Sequence, residues 1–116
     1  MKKTKKEVVE GDVTHLIERL EAFEERMGVR LEALFAHIDE YGGLTVNGEL
    51  HSREGATIEQ DIKLHADVYD SSGRLVAIGI ERIEADKFFG FEAVSVVATL
   101  PIRELSKIRV YPKKWC

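Results

Sequence analysis

Four histidines and a group of carboxylates are the side chains of this sequence that could bind a metal or transfer a proton. The histidines are His15, His37, His51 and His65. No two of them are four residues apart, none belongs to an HExxH motif, and the single cysteine is the last residue. Isolated histidines of this kind are usually surface residues. No catalytic, cofactor-binding or metal-binding residue is therefore predicted, and the chain is not expected to be an enzyme.

One alternative would use these side chains. His51, His65 and nearby carboxylates could form a small-ligand, metal or catalytic site between subunits, and the two histidines could chelate a metal if they lie on adjacent strands. The carboxylates near the second of these strands are Glu59, Asp61, Asp67 and Asp70. Their spacing lacks the alternating oxygen ligands and the distal glutamate of a calcium loop. Asp70 instead begins a run, ending at Gly73, that is typical of a tight hairpin turn.

The elements that would position these side chains begin with an apolar stripe. Its residues are three and four apart, which is typical of one narrow face of a long helix. The stripe predicts a helix over residues 12–42 that has Asp12 as its N-cap and stops at Gly42 and Gly43. A narrow apolar face favours a coiled coil, so this helix is expected to form a homo-oligomer. The predicted oligomer seam is Val13, Leu16, Leu20, Phe23, Met27, Leu31, Leu34, Ile38 and Tyr41.

Two properties of this helix stay open. Ile17 and Phe35 widen the apolar face, so the helix could instead fold back on the strands of its own chain. The seam mixes leucine, phenylalanine and methionine, so it does not distinguish a dimer from a trimer or a tetramer. Charged residues, Glu24 among them, occupy the other faces of the helix and are expected to be in solvent.

From residue 44 the hydrophobic period changes to two, which predicts β-strands. Alternating apolar residues mark five strands, at Leu44–Leu50, Ile62–Val68, Val76–Ile80, Phe88–Leu100 and Ile108–Val110. Asn47 and Gly48 are interpreted as a bulge within the first strand, because a turn there would leave pieces too short to pair. Short turns without intervening helices predict an antiparallel sheet in two small layers. The expected fold class is α+β, with a long N-terminal coiled-coil helix followed by a small antiparallel β-sandwich.

Charge is unevenly distributed along the chain. The net charge is −4, from 17 basic and 21 acidic residues, and six lysines lie at the two ends: Lys2, Lys3, Lys5, Lys6, Lys113 and Lys114. An acidic body disfavours nucleic acid as a partner, and the lysine ends leave an anion or membrane-surface adaptor as a second alternative. No apolar run is long enough for a membrane span or a secretory signal, so a cytoplasmic location is expected. The predicted parts are a basic N-terminus (1–11), the helix (12–42), the sandwich (43–112) and a tail (113–116).

The segment DIKLHADVYDSSGRLVAIG, at residues 61–79, resembles the centre of FxLYD-type and related immunoglobulin-like β-sandwich domains. In that family a strand ends in a Tyr-Asp pair before a glycine turn, as at Tyr69 and Asp70, although Ala66 stands where the family has phenylalanine. The run from Phe88 to Phe91 resembles the start of a later strand of the same domain. The resemblance implies a compact sandwich used for contacts, and it includes no catalytic position.

Two consecutive phenylalanines in a strand point to opposite sides, so one of Phe88 and Phe89 must face the helix, a second chain or a ligand. These two residues are the candidate partner contacts. The function predicted from the sequence is a non-catalytic, homo-oligomeric protein-interaction module without a cofactor. Its helix would serve self-association, and its sandwich would contact a partner protein.

Overall fold

Two four-stranded β-sheets account for most of the chain, which a computed structural model describes at residues 10–101 and 104–115. The long strands are β3 (Val29–Ile38), β4 (Gly43–Ser52), β5 (Ile62–Asp70), β6 (Leu75–Ile83), β7 (Phe91–Thr99) and β8 (Leu105–Lys114). Two short strands, β1 (Gly11–Asp12) and β2 (Ile17–Arg19), precede a seven-residue helix, α1 (Glu21–Met27). Short 3₁₀ helices span Thr14–Leu16 and Ala85–Lys87.

The N-terminal segment connects the two sheets. Sheet I has the strand order β1-β3-β4-β7 and sheet II the order β2-β8-β5-β6. All paired strands are antiparallel except β2 and β8, which are parallel. Between β1 and β2, the amide of Val13 donates to the carbonyl of Ala36 at 2.9 Å, and after β2 the amide of Leu20 donates to the carbonyl of Val110 at 3.3 Å. One short stretch of chain thereby extends an edge of each sheet.

Both sheets contribute to one hydrophobic core. Successive strand residues point to opposite faces, so one face of each sheet supplies the core and the other forms an outer face. The fully buried side chains include Val29, Leu31, Leu44, Val46, Leu50, Ile62, Leu64, Val68, Ile83 and Ile108. Removing these apolar groups from water is the dominant stabilising contribution in a domain of this size.

The prediction of a long coiled-coil helix over residues 12–42 is wrong, and with it the α+β class. Within that range only Glu21–Met27 is α-helical, and the described part of the chain is mostly β. The helix ends because Gly28 takes the left-handed conformation, with a φ of 73°. The predicted seam is therefore not one surface: its first three residues lie in the crossing from β1 to α1, the next two in α1, the next three in β3, and Tyr41 is exposed in a turn.

A β-bulge explains why β3 resembles a helical stripe in sequence. Val29 and Leu31 point into the core, and so do Ala36 and Ile38 further along the strand. Between these pairs the register shifts, and Ala33 has a φ of 57°. The extra residue of a bulge changes the phase of the two-residue period. Leu34, within the bulge, packs partly against the core, so Leu31, Leu34 and Ile38 are three and four residues apart, as they would be in a helix.

Four of the five strands predicted after residue 43 fall within β4, β5, β6 and β8. The strand predicted at Phe88–Leu100 is shorter, because β7 covers only Phe91–Thr99 and Phe88 and Phe89 precede it. β4 runs continuously through Asn47 and Gly48 as predicted, but the bulge lies in the neighbouring β3, where a Cβ on Gly48 would be 2.7 Å from Leu34 Cδ2. The predicted hairpin is confirmed, since Asp70 Oδ1 accepts bonds from the amides of Ser72 and Arg74 at 2.9 and 3.0 Å. The tail predicted at 113–116 is in part the end of β8, while residues 1–9 and Cys116 lie outside the described residues.

Gly79 of β6 sets how closely an edge of sheet II approaches sheet I. A Cβ at this position would lie 2.6 Å from the carbonyl oxygen of Val97 and 2.8 Å from Val96 Cγ1. We expect Gly79→Ala to lower the free energy of unfolding by about 1–3 kcal/mol, because the methyl group must push β6 away from β7. Urea denaturation measures the effect, and Ser95→Ala, on the exposed face of β7, is the control. Equal stability of Gly79→Ala and the natural protein would contradict the close approach.

Candidate functional site

The outer face of sheet II carries charged and aromatic side chains in register. Residues paired across antiparallel strands point to the same side of the sheet, so the pairing of β6, β5 and β8 arranges them in rows. The rows are Arg82–Lys63–Lys113, Ile80–His65–Tyr111, Ile78–Asp67–Arg109 and Leu75–Tyr69–Lys107. One end of this face is therefore cationic, its centre is polar and aromatic, and the edge strand β6 contributes apolar side chains.

Three cations form the first row, which we call the cationic row: Arg82, Lys63 and Lys113. Lys63 lies in the middle, directly opposite both of the others, and like charges in such positions repel each other. No carboxylate of residues 10–101 and 104–115 forms an ion pair with any of the three. The guanidinium of Arg82 lies 5.2 Å from the ring centroid of Trp115, the single tryptophan of the chain. Within the described part of the chain, the row is thus a positively charged site without an ion-paired acid.

The centre of the same face is a polar cluster of Asp67, Tyr111 and His65. The Tyr111 hydroxyl donates to Asp67 Oδ2 at 2.6 Å, and the His65 ring stacks on the Tyr111 ring with centroids 5.1 Å apart. Burial and the bond to Asp67 raise the pKa of Tyr111, so its hydroxyl stays protonated and remains a donor. Asp67 is only 8% exposed, and its Oδ1, which accepts no hydrogen bond from a described residue, lies 3.8 Å from His65 Nδ1.

His65 should make the stability of the protein depend on pH. Burial lowers the pKa of His65 below its ordinary value of 6.5; Asp67 opposes this shift, and Lys113 and Lys63 add to it. On acidification the unfolded chain therefore takes up a proton before the folded one does. The stabilisation from neutral His65 is fully present above pH 6.5 and is lost as the pH falls through 6.5 towards the folded-state pKa.

We expect His65→Gln to reduce the loss of stability between about pH 7 and pH 5, because the substituted side chain does not titrate. Urea denaturation at a series of pH values measures this, with His15→Gln as the control. An identical pH dependence in His65→Gln and the natural protein would exclude His65 as its origin.

Arg109 and Lys107 of β8 already have partners. Arg109 forms an ion pair with Glu18 of β2 at 3.0 Å, and its guanidinium lies over the Tyr69 ring at 5.1 Å. The ammonium of Lys107 lies over the same ring at 5.2 Å. Arg109 is therefore neutralised by an acid, whereas Lys107 covers a ring as Arg82 does, and the three cations that lie side by side on this face are those of the cationic row.

The outer face of sheet I carries a different cluster, Glu32, Glu49 and His51. Glu32 of β3 lies directly opposite Glu49 of β4, and His51 follows two residues later on the same face. His51 Nε2 is 2.9 Å from Glu49 Oε1 and 3.8 Å from Glu32 Oε1. Arg30 Nε donates to Glu32 Oε2, and this bond lowers the pKa of Glu32. The Phe91 ring of β7 stacks on the imidazole with centroids 5.0 Å apart.

The structure does not bring the two histidines of the alternative site together. His51 lies in sheet I and His65 in sheet II, so they are not on adjacent strands of one chain and do not form a metal chelate there. A site between subunits around these residues stays a prediction. The nearby acids serve turns and loops: Asp61 Oδ1 accepts the amide of Ala85 at 2.8 Å, and Asp70 closes the β5–β6 hairpin. The carboxylates beside His51 are Glu32 and Glu49, which the sequence did not single out.

The two predicted contact residues, Phe88 and Phe89, differ in their exposure to solvent. Phe88 is 4% exposed and belongs to the core, whereas Phe89 is 79% exposed.

A cleft of about 250 Å³ lies between the end of α1 and the loop after β4, and charged and polar residues such as Arg53, Glu54 and Gln60 line much of it. Among the described residues no helix is long and apolar enough to cross a membrane.

Comparisons of the chain with protein families, with curated proteins and with solved structures find no match. The resemblance to FxLYD-type and immunoglobulin-like domains therefore stays a prediction.

Proposed function

We propose that this protein is a non-catalytic binding module whose sheet II face binds an acidic segment of another protein. The observation that carries the proposal is the cationic row, in which three cations are aligned across three adjacent strands and none forms an ion pair with a carboxylate of the described residues. An anionic partner would replace the repulsion between them with charge-assisted hydrogen bonds. Clustered positive charge would also accelerate the encounter with an acidic partner.

The side chains next to the row favour a protein segment over nucleic acid. Leu75, Ile78 and Ile80 of the edge strand β6 are each about half exposed. Ile80 belongs to the row that is next to the cationic row. A peptide that combines carboxylates with apolar side chains would match both features, because its apolar groups would cover these residues. A phosphate backbone offers no such groups, and the chain's net charge of −4 repels an extended polyanion.

The polar cluster supports a binding role more than a catalytic one. Tyr111 is held as a protonated donor, and His65 lies on the outer face of a sheet rather than in an enclosed cleft. Catalytic groups usually act in a concave site that excludes water. The long helix predicted to carry self-association is absent, and a homo-oligomeric state stays a prediction that sedimentation velocity can test.

Trp115 is a built-in reporter for the proposed contact, because Arg82 covers its ring and no second tryptophan contributes emission. We expect a synthetic peptide that alternates glutamate with valine to change the Trp115 emission, and added salt to weaken the binding. Lys63→Glu should weaken it by about tenfold or more, since it places an acid in the centre of the row. Arg74→Glu makes the same change in net charge within the β5–β6 hairpin and should leave the affinity within about twofold.

Two further measurements separate the kinds of partner. Ile80→Ser should weaken binding of the peptide but not of a single-stranded oligothymidylate, because only the peptide would contact the apolar side chains of β6. Tighter binding of the oligothymidylate than of the peptide would replace the proposal with nucleic-acid binding. Equal affinities of Lys63→Glu and Arg74→Glu for the peptide would exclude the cationic row as the site.

A further inference from the structure

We propose that Glu32, Glu49 and His51 form a binding site for a divalent transition-metal ion, with zinc as the best match. One ligand atom from each residue lies within 4.8 Å of the other two. The site is on the outer face of sheet I, whereas the proposed partner surface is on sheet II. The metal site is therefore independent of the proposed function.

The distances suit a small ion. Zinc binds imidazole nitrogen and carboxylate oxygen at about 2.0–2.2 Å, so its tetrahedral ligands are about 3.3 Å apart. The separations of His51 Nε2 from the two carboxylate oxygens, 2.9 and 3.8 Å, lie on either side of that value. Small side-chain movements would complete a three-ligand site, with water as the fourth ligand. Calcium requires six to eight oxygen ligands and fits this donor set poorly.

The charges of Glu32 and Glu49 favour the binding of a cation. Glu32 and Glu49 are paired directly across β3 and β4, where like charges destabilise the sheet. Arg30 offsets only part of this repulsion, because it bonds to Oε2 of Glu32 and leaves Oε1 towards His51. A divalent ion between the two carboxylates would convert their repulsion into attraction on both sides.

The neighbouring side chains also hold the ligands in place. Arg30 orients the Glu32 carboxylate, and the Phe91 ring lies nearly parallel to the His51 ring, at an interplanar angle of 13°. Metal sites depend on such outer contacts to orient their first ligands. The glutamates and the histidine come from two paired strands of a sheet, which fixes their relative positions more firmly than a loop would.

Titration calorimetry with zinc on the intact chain tests the site, and the visible absorption of bound Co²⁺ reports its coordination. We expect one ion per chain, and a loss of affinity of about tenfold or more in His51→Ala and in Glu49→Gln. His15→Ala and Glu59→Gln remove a histidine and an acid elsewhere, and they should bind zinc as the natural protein does. Zinc should also raise the melting temperature of the natural protein and not that of His51→Ala.

Glu49→Gln separates loss of the site from loss of the fold. Because it relieves the repulsion with Glu32, the metal-free variant should be at least as stable as the natural protein while binding zinc more weakly. Zinc binding by His51→Ala with the affinity of the natural protein would overturn the assignment. So would binding of calcium as tight as that of zinc, or no heat of zinc binding at about 100 µM protein.

Discussion

Arg19→Met is expected to lower the free energy of unfolding by about 3–5 kcal/mol, because it leaves a carboxylate buried without its counter-ion. Arg19 of β2 binds Glu24 of α1 through two bonds, Nε to Oε2 at 3.0 Å and Nη2 to Oε1 at 2.6 Å. Glu24 is fully buried, and its Oε1 also accepts the amide of Leu31 at 3.1 Å. One carboxylate thereby ties together β2, α1 and β3.

Substitution of Glu24 should lower the free energy of unfolding less than substitution of Arg19 does. The Arg19 side chain is 38% exposed and can turn to water, and a glutamine at position 24 still accepts the Leu31 amide. We therefore expect Glu24→Gln to lower the free energy of unfolding by about 1–2 kcal/mol. The double variant Arg19→Met/Glu24→Leu should cost less than the sum of the corresponding single variants, because it removes both charges.

Guanidinium chloride unfolding of each variant measures these differences, and Arg26→Met, at an exposed position of α1, is the control with an expected change within about 0.5 kcal/mol. If Arg19→Met were no more destabilising than Glu24→Gln, water would have to reach the Glu24 carboxylate in the folded protein. That result would contradict the burial of this ion pair.

Phe88→Ser and Phe89→Ser should differ by several kcal/mol although the residues are adjacent. Phe88 fills the core, so its loss leaves a cavity and is expected to cost about 3–5 kcal/mol. Phe89 is exposed, so Phe89→Ser should change stability by no more than about 0.5 kcal/mol. Thermal or urea unfolding measures both, and similar losses in the two variants would contradict the assigned orientations.

This difference determines how the two phenylalanines can be used to test partner binding. Loss of binding in Phe88→Ser would report unfolding rather than a lost contact. Phe89→Ser keeps the fold, so it is the informative variant for the contact predicted from the sequence. Binding of a captured partner with equal affinity by Phe89→Ser and the natural protein would remove Phe89 from the candidate contacts.

Local sequence patterns were sufficient for the strands β4–β8 and for the hairpin at Asp70. A two-residue period, a short turn and a glycine at positive φ each depend on neighbouring residues, so they can be recognised without knowledge of the fold. The same patterns failed for residues 12–42. The bulge at Ala33 gave a strand the spacing of a helix, and pairing with β4 and β8 outweighed any local preference for a long helix.

The helical pattern also mispredicted the environment of Glu24, which is buried. A glutamate on the polar side of a predicted helix is expected in solvent, but here α1 packs against β3 and β8, and Arg19 of β2 binds the buried carboxylate. Burial of a charge depends on which partner the fold supplies, and that partner is not visible in a helical pattern.

Alternation and turn chemistry in the chain determined the five strands after residue 43 and the turn closed by Asp70. That Phe88 is buried and Phe89 exposed depended on the tertiary structure, because both residues precede β7. Both candidate sites depended on strand order and register instead. Arg82, Lys63 and Lys113 become neighbours only because β5 pairs with β6 on one side and β8 on the other, and Glu32 meets Glu49 only through the pairing of β3 with β4. Register is set by long-range pairing and core packing, so no local motif could place these charges side by side.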